Sequence, residues 1–281
     1  MCKRNSCRIQ ENFMKNNIIQ LSVIVVSLNT KNKFLQTIKS IISQTYKNYE
    51  IIVVDGKSTD GTIKEIEKLQ KNFSKIIIEK DKGIYDAMNK GSNLASGVWV
   101  IFLNSGDVFF NNQTLFNIFK QRVIKHDIIY GDTRVKYENL NYFANSSIFS
   151  KKTILMPFCH QSTVVKTDIV KKNKFSLKYK YSSDFDFFIK CFLKKRKFYN
   201  SNLTISRVIA NGLSDINRQK VYSENIRILK NYNYNFFLIL NIWLFKLLTL
   251  AKDFIKCILP KNIIMIILKF KYKLKSNVIK L

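Results

Sequence analysis

The sequence predicts an α/β protein with a mainly parallel central sheet flanked by helices. Three observations carry that reading. Short, β-branched apolar runs alternate with amphipathic segments four times between residues 21 and 103. Most of these runs are apolar on both faces, as parallel strands covered by helices must be. Three of them stop in small polar residues, at the strand ends where such sheets bind ligands.

Leu21 to Leu28 (LSVIVVSL) reads as the first buried strand. Apolar residues at 34, 35, 38, 41, 42 and 46 then form one stripe of a helix from Phe34 to Tyr46. Tyr49 to Val54 (YEIIVV) is a second strand, stopped by Asp55-Gly56. Thr59-Asp60-Gly61 can cap a helix that carries Ile63, Ile66 and Leu69. Ile76 to Ile78 is a third strand, Ile84 to Ala95 a helix, and Val98 to Leu103 a fourth strand. Beyond it the pattern predicts helix over Thr114–Lys125, strand over Ile128–Val135, a loop-rich stretch over 136–160 and helix over Ser183–Leu193. A strand over Phe198–Ile209 and a helix over Val221–Tyr232 follow. Tyr85 and Trp99 are read as core residues. The expected organisation is a disordered tail at 1–17, one domain at 18–215 and a helical, cationic extension at 216–281.

The net charge of +29 asks for an anionic partner: nucleic acid, an acidic membrane surface or a phosphorylated substrate. It is concentrated towards the end, where residues 216–281 hold thirteen Lys or Arg against Glu224 and Asp253. Those cations are mixed with apolar runs such as Phe236 to Leu240 and Ile263 to Leu268, a mixture that suits the plane of an anionic membrane. The same pattern fits a helical subdomain packed on the core. Nucleic-acid binding would ask for basic residues interleaved with exposed aromatics or a recognition motif, and neither stands out. Five Cys without a C-x-x-C pair read as reduced thiols of a cytoplasmic protein. The start carries no apolar run of signal-peptide type. The longest apolar stretch, Phe236 to Leu250, is broken by Asn241 and Lys246 and is short for a membrane span.

The three polar strand ends are Ser27-Leu28-Asn29, Asp55-Gly56-Lys57-Ser58-Thr59-Asp60-Gly61 and Asn104-Ser105-Gly106-Asp107. No G-x-x-x-x-G-K-[ST] loop is present, and the glycine pattern of dinucleotide-binding folds is missing after the first strand. Phosphate charge must be met otherwise, and a divalent cation on Asp107 meets it with one carboxylate plus diphosphate oxygens. From the residues alone Asp107 fits a metal seat or a turn former, Asp55 a ligand contact or an Asp-Gly turn, and Asp184 a catalytic base or a helix cap. His160 fits either a substrate-positioning or a structural role.

The segments VIVVSLN, VVDGKSTDGT and DKGIYDAMNKGSNLASGVWVIFLNSGD, in this order from about residue 20 to 107, resemble the successive motifs of family 2 glycosyltransferases of GT-A fold. The resemblance continues more loosely through Pro157-Phe158-Cys159-His160-Gln161 and Ser183-Asp184-Phe185-Asp186. It is similar to bacterial enzymes that build capsule, exopolysaccharide or O-antigen units. It implies an inverting transfer from a nucleotide-diphosphate sugar, expected to be a UDP-sugar, to a hydroxyl of a lipid-linked or polysaccharide acceptor. Ser27 and Asn29 are then expected in the nucleotide pocket, Asp55 on the base, and Gly83 and Asn89 in the nucleotide wall. Asn104, Gly106 and Asp107 stand where the family has its acidic metal motif. Asp107 is the expected ligand of Mg²⁺ or Mn²⁺, and Asn104 and Gly106 replace acids common in relatives. Asp184 aligns with the catalytic base, with Asp186 its rival. His160, Gln161 and Asp186 are expected on the acceptor side. The expected location is the inner face of the cell membrane, held peripherally. A basic nucleic-acid-binding protein and a sugar nucleotidyltransferase are the competing readings; the second would carry a glycine-rich basic loop after the first strand.

Overall fold

A computed structural model describes residues 19–121, 125–137, 140–210 and 212–258 of the chain. The expected tail at 1–17 and the last part of the extension, from 259, lie outside the described residues.

Four parallel strands open the sheet: β1 (Leu21–Ser27), β2 (Tyr49–Asp55), β3 (Lys75–Ile78) and β4 (Trp99–Asn104). They lie in the order β3-β2-β1-β4, with helices α1 (Lys31–Ile42), α2 (Thr62–Lys68) and α3 (Ile84–Leu94) as crossovers. All seven residues of β1 are buried, as its unbroken apolar run requires. The period of two divides the strands between two cores. Ile24, Val26, Ile52, Val54, Val100 and Phe102 face one core, and Val23, Val25, Ile51, Val53, Ile101 and Leu103 the other. Gly91 allows α3 to lie against β1, since a Cβ there would stand 2.5 Å from Ile24 Cγ2. Asp60 caps two helices at once: its carboxylate accepts the Lys31 amide at 2.9 Å and the Thr62 amide at 3.0 Å.

The second half adds β5 (Val108–Phe109), β6 (Ile128–Tyr137), β7 (Leu140–Ala144), β8 (Thr163–Lys166) and β9 (Phe198–Ile209). They extend the order as β4-β8-β6-β9-β5, with β7 hairpinned on β6. Here β8 runs antiparallel to both β4 and β6, so the sheet is parallel in its first part and mixed beyond β4. The helices are α4 (Thr114–Phe119), α5 (Thr167–Asn173), α6 (Ser183–Leu193), a single turn α7 (Leu213–Ile216), α8 (Arg218–Asn231) and α9 (Phe236–Ile258). The expected loop-rich stretch contains β7, and the expected helix at 114 stops at Phe119. Ile226, Ile228 and Leu229 of α8 and Ile239 and Ile242 of α9 are buried in the same core as the strands, so packing is continuous across residue 215.

Glu50 is a buried acid of the sheet that belongs to no ligand-facing end. Its Oε1 accepts from the Ser22 hydroxyl at 2.5 Å, the Ser96 amide at 2.6 Å and hydroxyl at 2.8 Å, and the Gly97 amide at 3.2 Å. Burial pushes this carboxyl up, but the Ser22 and Ser96 hydrogen bonds and the Lys75 charge outweigh it and hold it below its ordinary value. The sign follows from linkage: with the folded value depressed, the stabilisation is complete above the ordinary value of 4.5 and is lost as pH falls through the folded one. Glu50→Ala is expected to cost about 2–4 kcal/mol in urea unfolding at pH 7, because several buried donors lose a charged acceptor. As pH falls below 4.5 and through the lower folded value, the difference between the variant and the parent should shrink.

Candidate functional site

The strand register brings the site together. Ser27 of β1 lies opposite Asp55 of β2, and Val26 lies opposite Asn104 of β4. Three polar strand ends therefore share one edge of the sheet, as expected. The turn after β4 is pinned on several sides. The Ser105 amide donates to the Val26 carbonyl at 3.1 Å and the Asp107 amide to the Asn104 carbonyl at 2.8 Å. The buried Thr37 hydroxyl of α1 donates to the Asp107 carbonyl at 2.8 Å and accepts from the Gly106 amide at 2.9 Å. Gly106 takes φ +104°, a left-handed conformation that favours glycine.

Asp107 is 7% exposed. Burial pushes its carboxyl up to about 6, against the opposing pull of the His160 charge, a Gln161 hydrogen bond, the Asn104 amide and Lys33. Beside it, Asn104 Oδ1 is buried without a hydrogen-bond partner. A costly carboxylate and an orphaned carbonyl oxygen in one turn are two hard oxygen atoms of the kind that could hold a divalent cation. Among the described residues no group of three or more His, Cys, Asp or Glu could hold a metal. A cation held by Asp107 and Asn104 would need its further oxygens from a ligand.

Asp184 stands in the first turn of α6 and is joined to this turn through His160. His160 Nδ1 lies 3.2 Å from Asp184 Oδ2, and its Nε2 lies 3.4 Å from Asn104 Nδ2. His160 thus places Nδ1 against the carboxylate and Nε2 against the Asn104 side-chain amide. Asp184 Oδ1 accepts from the Tyr85 hydroxyl at 3.0 Å and from the Phe185 amide at 2.9 Å. Burial, and then the Asp184 charge, raise the Tyr85 phenol well above its ordinary value, so it remains a donor. Tyr85, read as core from the sequence, is also a partner of the candidate base; apolar periodicity carries no signal for its hydroxyl.

The remaining expected site residues divide. Asn29 is exposed at φ +50°; its amide donates to Ser58 Oγ at 2.8 Å and its Oδ1 accepts the Thr59 amide at 2.8 Å. Ser27 pairs with the Thr30 hydroxyl at 3.0 Å. Asp55 is fully buried, and its two oxygens accept the Ser58 amide and hydroxyl, both at 2.7 Å. Because Asp55 is fully enclosed, a base contact from it would need the loop of Ser58 to shift; as it stands, Asp55 holds that loop, which in turn bonds Asn29. Gly83 is exposed at φ +117°, with open space where a Cβ would lie, so its backbone leaves room for a ligand. Asp81, missed in the sequence, lies beside this strand end: a Cβ on Gly56 would stand 2.6 Å from its Oδ2.

Two expected site residues are engaged in contacts within the fold. Asn89, expected in the nucleotide wall, has a side-chain amide that donates to the Phe175 carbonyl and accepts the Phe175 amide, both at 2.8 Å, which ties α3 to the chain after α5. Asp186, expected as the rival base and on the acceptor side, lies inside the fold. It is 3% exposed, accepts from the Tyr232 hydroxyl at 2.9 Å and pairs with Lys190 at 2.6 Å, because two residues along a helix turn it away from Asp184.

A family model described as glycosyl transferase family 2 matches residues 22–203. The chain belongs to that family. It is 31% identical over 180 residues to a PGL/p-HBAD biosynthesis glycosyltransferase of Mycobacterium bovis, covering 61% of this chain and 69% of the relative. It is 29% identical over 212 residues to an Escherichia coli protein named UDP-Glc:alpha-D-GlcNAc-diphosphoundecaprenol beta-1,3-glucosyltransferase WfaP, covering 69% and 79%. Among solved structures it resembles the mannosyltransferase PcManGT of Pyrobaculum calidifontis, in complex with GDP-Man and Mn²⁺. That match has a TM-score of 0.58 at 14% identity and covers 77% of this chain and 64% of the other, so it bears on the fold alone. The family 2 chain therefore has the α/β glycosyltransferase architecture expected of it.

His160→Ala is expected to lower stability by about 1–3 kcal/mol in urea unfolding, since it removes a partner from both Asp184 and the Asn104 amide. A variant as stable as the parent would mean that this bridge contributes nothing.

Proposed function

We propose that the protein is an inverting glycosyltransferase that moves a sugar from a UDP-sugar to a hydroxyl of a lipid-linked or polysaccharide acceptor in cell-surface glycan synthesis. The observation that carries the reading is the His160 bridge, which joins Asp184 to the turn of Asn104 and Asp107. Nucleophile activation and leaving-group stabilisation need these two groups on either side of one sugar carbon. Asp184 takes the proton of the acceptor hydroxyl as the bond to C1 forms opposite the departing diphosphate. His160 and Tyr85 hold the carboxylate so that a free lone pair faces the acceptor. Asp107 and Asn104 Oδ1 hold a divalent cation, Mg²⁺ or Mn²⁺, which when bound neutralises the charge developing on the diphosphate. Ser27, Asn29 and the Asp55 loop receive the nucleoside, and the Gly83 backbone borders it. Gln161 supports the Asp107 carboxylate. One carboxylate base suffices, in contrast to the acid and base of glycoside hydrolysis. The WfaP name supports a UDP-sugar and a lipid-linked acceptor; the Mn²⁺ complex of PcManGT supports the cation.

We further propose that α9 binds an anionic membrane from the cytoplasmic side. Among the described residues no helix is long and apolar enough to cross a membrane. Yet α9 packs by one side and leaves a broad apolar face uncovered: Phe236, Phe237, Trp243, Leu244, Leu247, Phe254 and Ile258 are exposed. An apolar surface of this kind on a chain of net charge +29 matches a lipid surface better than a nucleic acid.

UDP with Mn²⁺ should raise the melting temperature of the protein, while GDP and a random oligonucleotide should not. A shift with the oligonucleotide alone would favour a nucleic-acid-binding role. Asp107→Ala should abolish the Mn²⁺-dependent shift. Asp184→Asn should retain it and lose at least about 100-fold in turnover, the scale of a general base. Deleting α9 would take Ile239 and Ile242 out of the core, so the membrane proposal is better tested by Leu244→Glu with Leu247→Glu. The doubly substituted protein should fail to float with vesicles rich in anionic phospholipid, whereas the parent floats; equal flotation would remove the proposal.

A further inference from the structure

We infer that Glu224, on α8 of the C-terminal extension, is a positioning residue for the candidate base, an inference that rests on the reading of Asp184 proposed above. The chain immediately before α6 has three consecutive amides, at residues 180, 181 and 182, and α6 has no side-chain cap of its own. Glu224 takes all three: its Oε1 accepts the Lys180 amide at 2.8 Å, and its Oε2 accepts the Tyr181 amide at 2.8 Å and the Ser182 amide at 2.9 Å. A carboxylate brought from another helix thus does the work of a cap. Charge-assisted hydrogen bonds of this number fix the path of the backbone two residues ahead of Asp184. Tyr85 closes the same unit from the other side, since its hydroxyl lies 3.3 Å from the Tyr181 carbonyl as well as 3.0 Å from Asp184 Oδ1.

The platform beneath Glu224 is firm. Asn225, Ile226, Ile228 and Leu229 of α8 are buried, and the Tyr232 hydroxyl just beyond the helix grips Asp186 on the far side of α6. Glu224 touches neither the strand ends nor the Asn104–Asp107 turn in any hydrogen bond of the structure. Its influence on catalysis therefore passes through the placement of Asp184. A misplacement of about 1 Å at a reacting group costs on the order of 100-fold in rate. The helix that precedes the exposed α9 is on this account part of the active site, as well as part of the extension.

The test measures UDP release from UDP-glucose and from UDP-N-acetylglucosamine with Mn²⁺ by the full chain, Glu224→Gln and Glu224→Ala, each alone and combined with Asp184→Asn. For the sugar that turns over, Glu224→Ala should lower kcat about 10- to 100-fold and Glu224→Gln less, with KM for the UDP-sugar unchanged. In the Asp184→Asn background the same substitution should cost less than about 2-fold, because both changes act on one group. Amide hydrogen exchange at 180–182 should be slow in the parent and fast in Glu224→Ala. Fast exchange with unaltered turnover, a raised KM without a change in kcat, or an equal loss in both backgrounds would each overturn the positioning role while leaving the glycosyltransferase reading intact. A parent protein that binds no UDP-sugar would sink that reading and this inference with it.

Discussion

Everything at the site depends on a register. Three neighbouring parallel strands, β2, β1 and β4, end level with one another, so that Asp55, Ser27 and Asn104 reach the same sheet edge. Because the side-chain period of a strand is two, a slip of one residue in any of them would turn its polar end away and its core residues outward. The split of alternate residues between two buried cores makes such a slip costly, and the rigid edge follows from it.

On that edge the carboxylates are handled in different ways, and their handling separates their roles. Asp55 has its oxygens satisfied by Ser58 and organises a loop. Asp186 is paired with Lys190 and joins two helices. Asp107 is buried with its carboxyl pushed up to about 6 and an unpartnered carbonyl next to it, a state that a cation would relieve. Asp184 is held by His160 and Tyr85 yet remains partly exposed. A structural acid is fully paired and enclosed; an acid kept in tension, or held with one side open, is where chemistry belongs.

The first half of the fold was legible because its strands are short, β-branched runs with sharp polar stops, and its helices carry single apolar stripes. The α6 and β9 segments were legible for the same reason. The strands β5, β7 and β8 were not: they have two to five residues, and their pairing is decided by distant partners such as β9 and β4 rather than by local pattern. Motif order also singled out Asp107, Asp184 and His160, which the fold brings near one another. What escaped was the destination of polar side chains. Asn89 turned to the Phe175 backbone, Tyr85 added a hydroxyl to Asp184, and Glu224 crossed from a segment that composition had set apart. Each of those depends on which helix faces which, and no spacing along the chain encodes it.

The proposed chemistry needs a divalent cation between the Asn104–Asp107 turn and a donor's diphosphate, across from Asp184. Crystals grown with UDP and Mn²⁺ test it directly through the anomalous signal of manganese. The account predicts one strong peak within about 2.0–2.4 Å of an Asp107 carboxylate oxygen and of diphosphate oxygens, with Asn104 close by. A UDP molecule bound with its diphosphate elsewhere, or manganese on residues remote from Asp107, would contradict it.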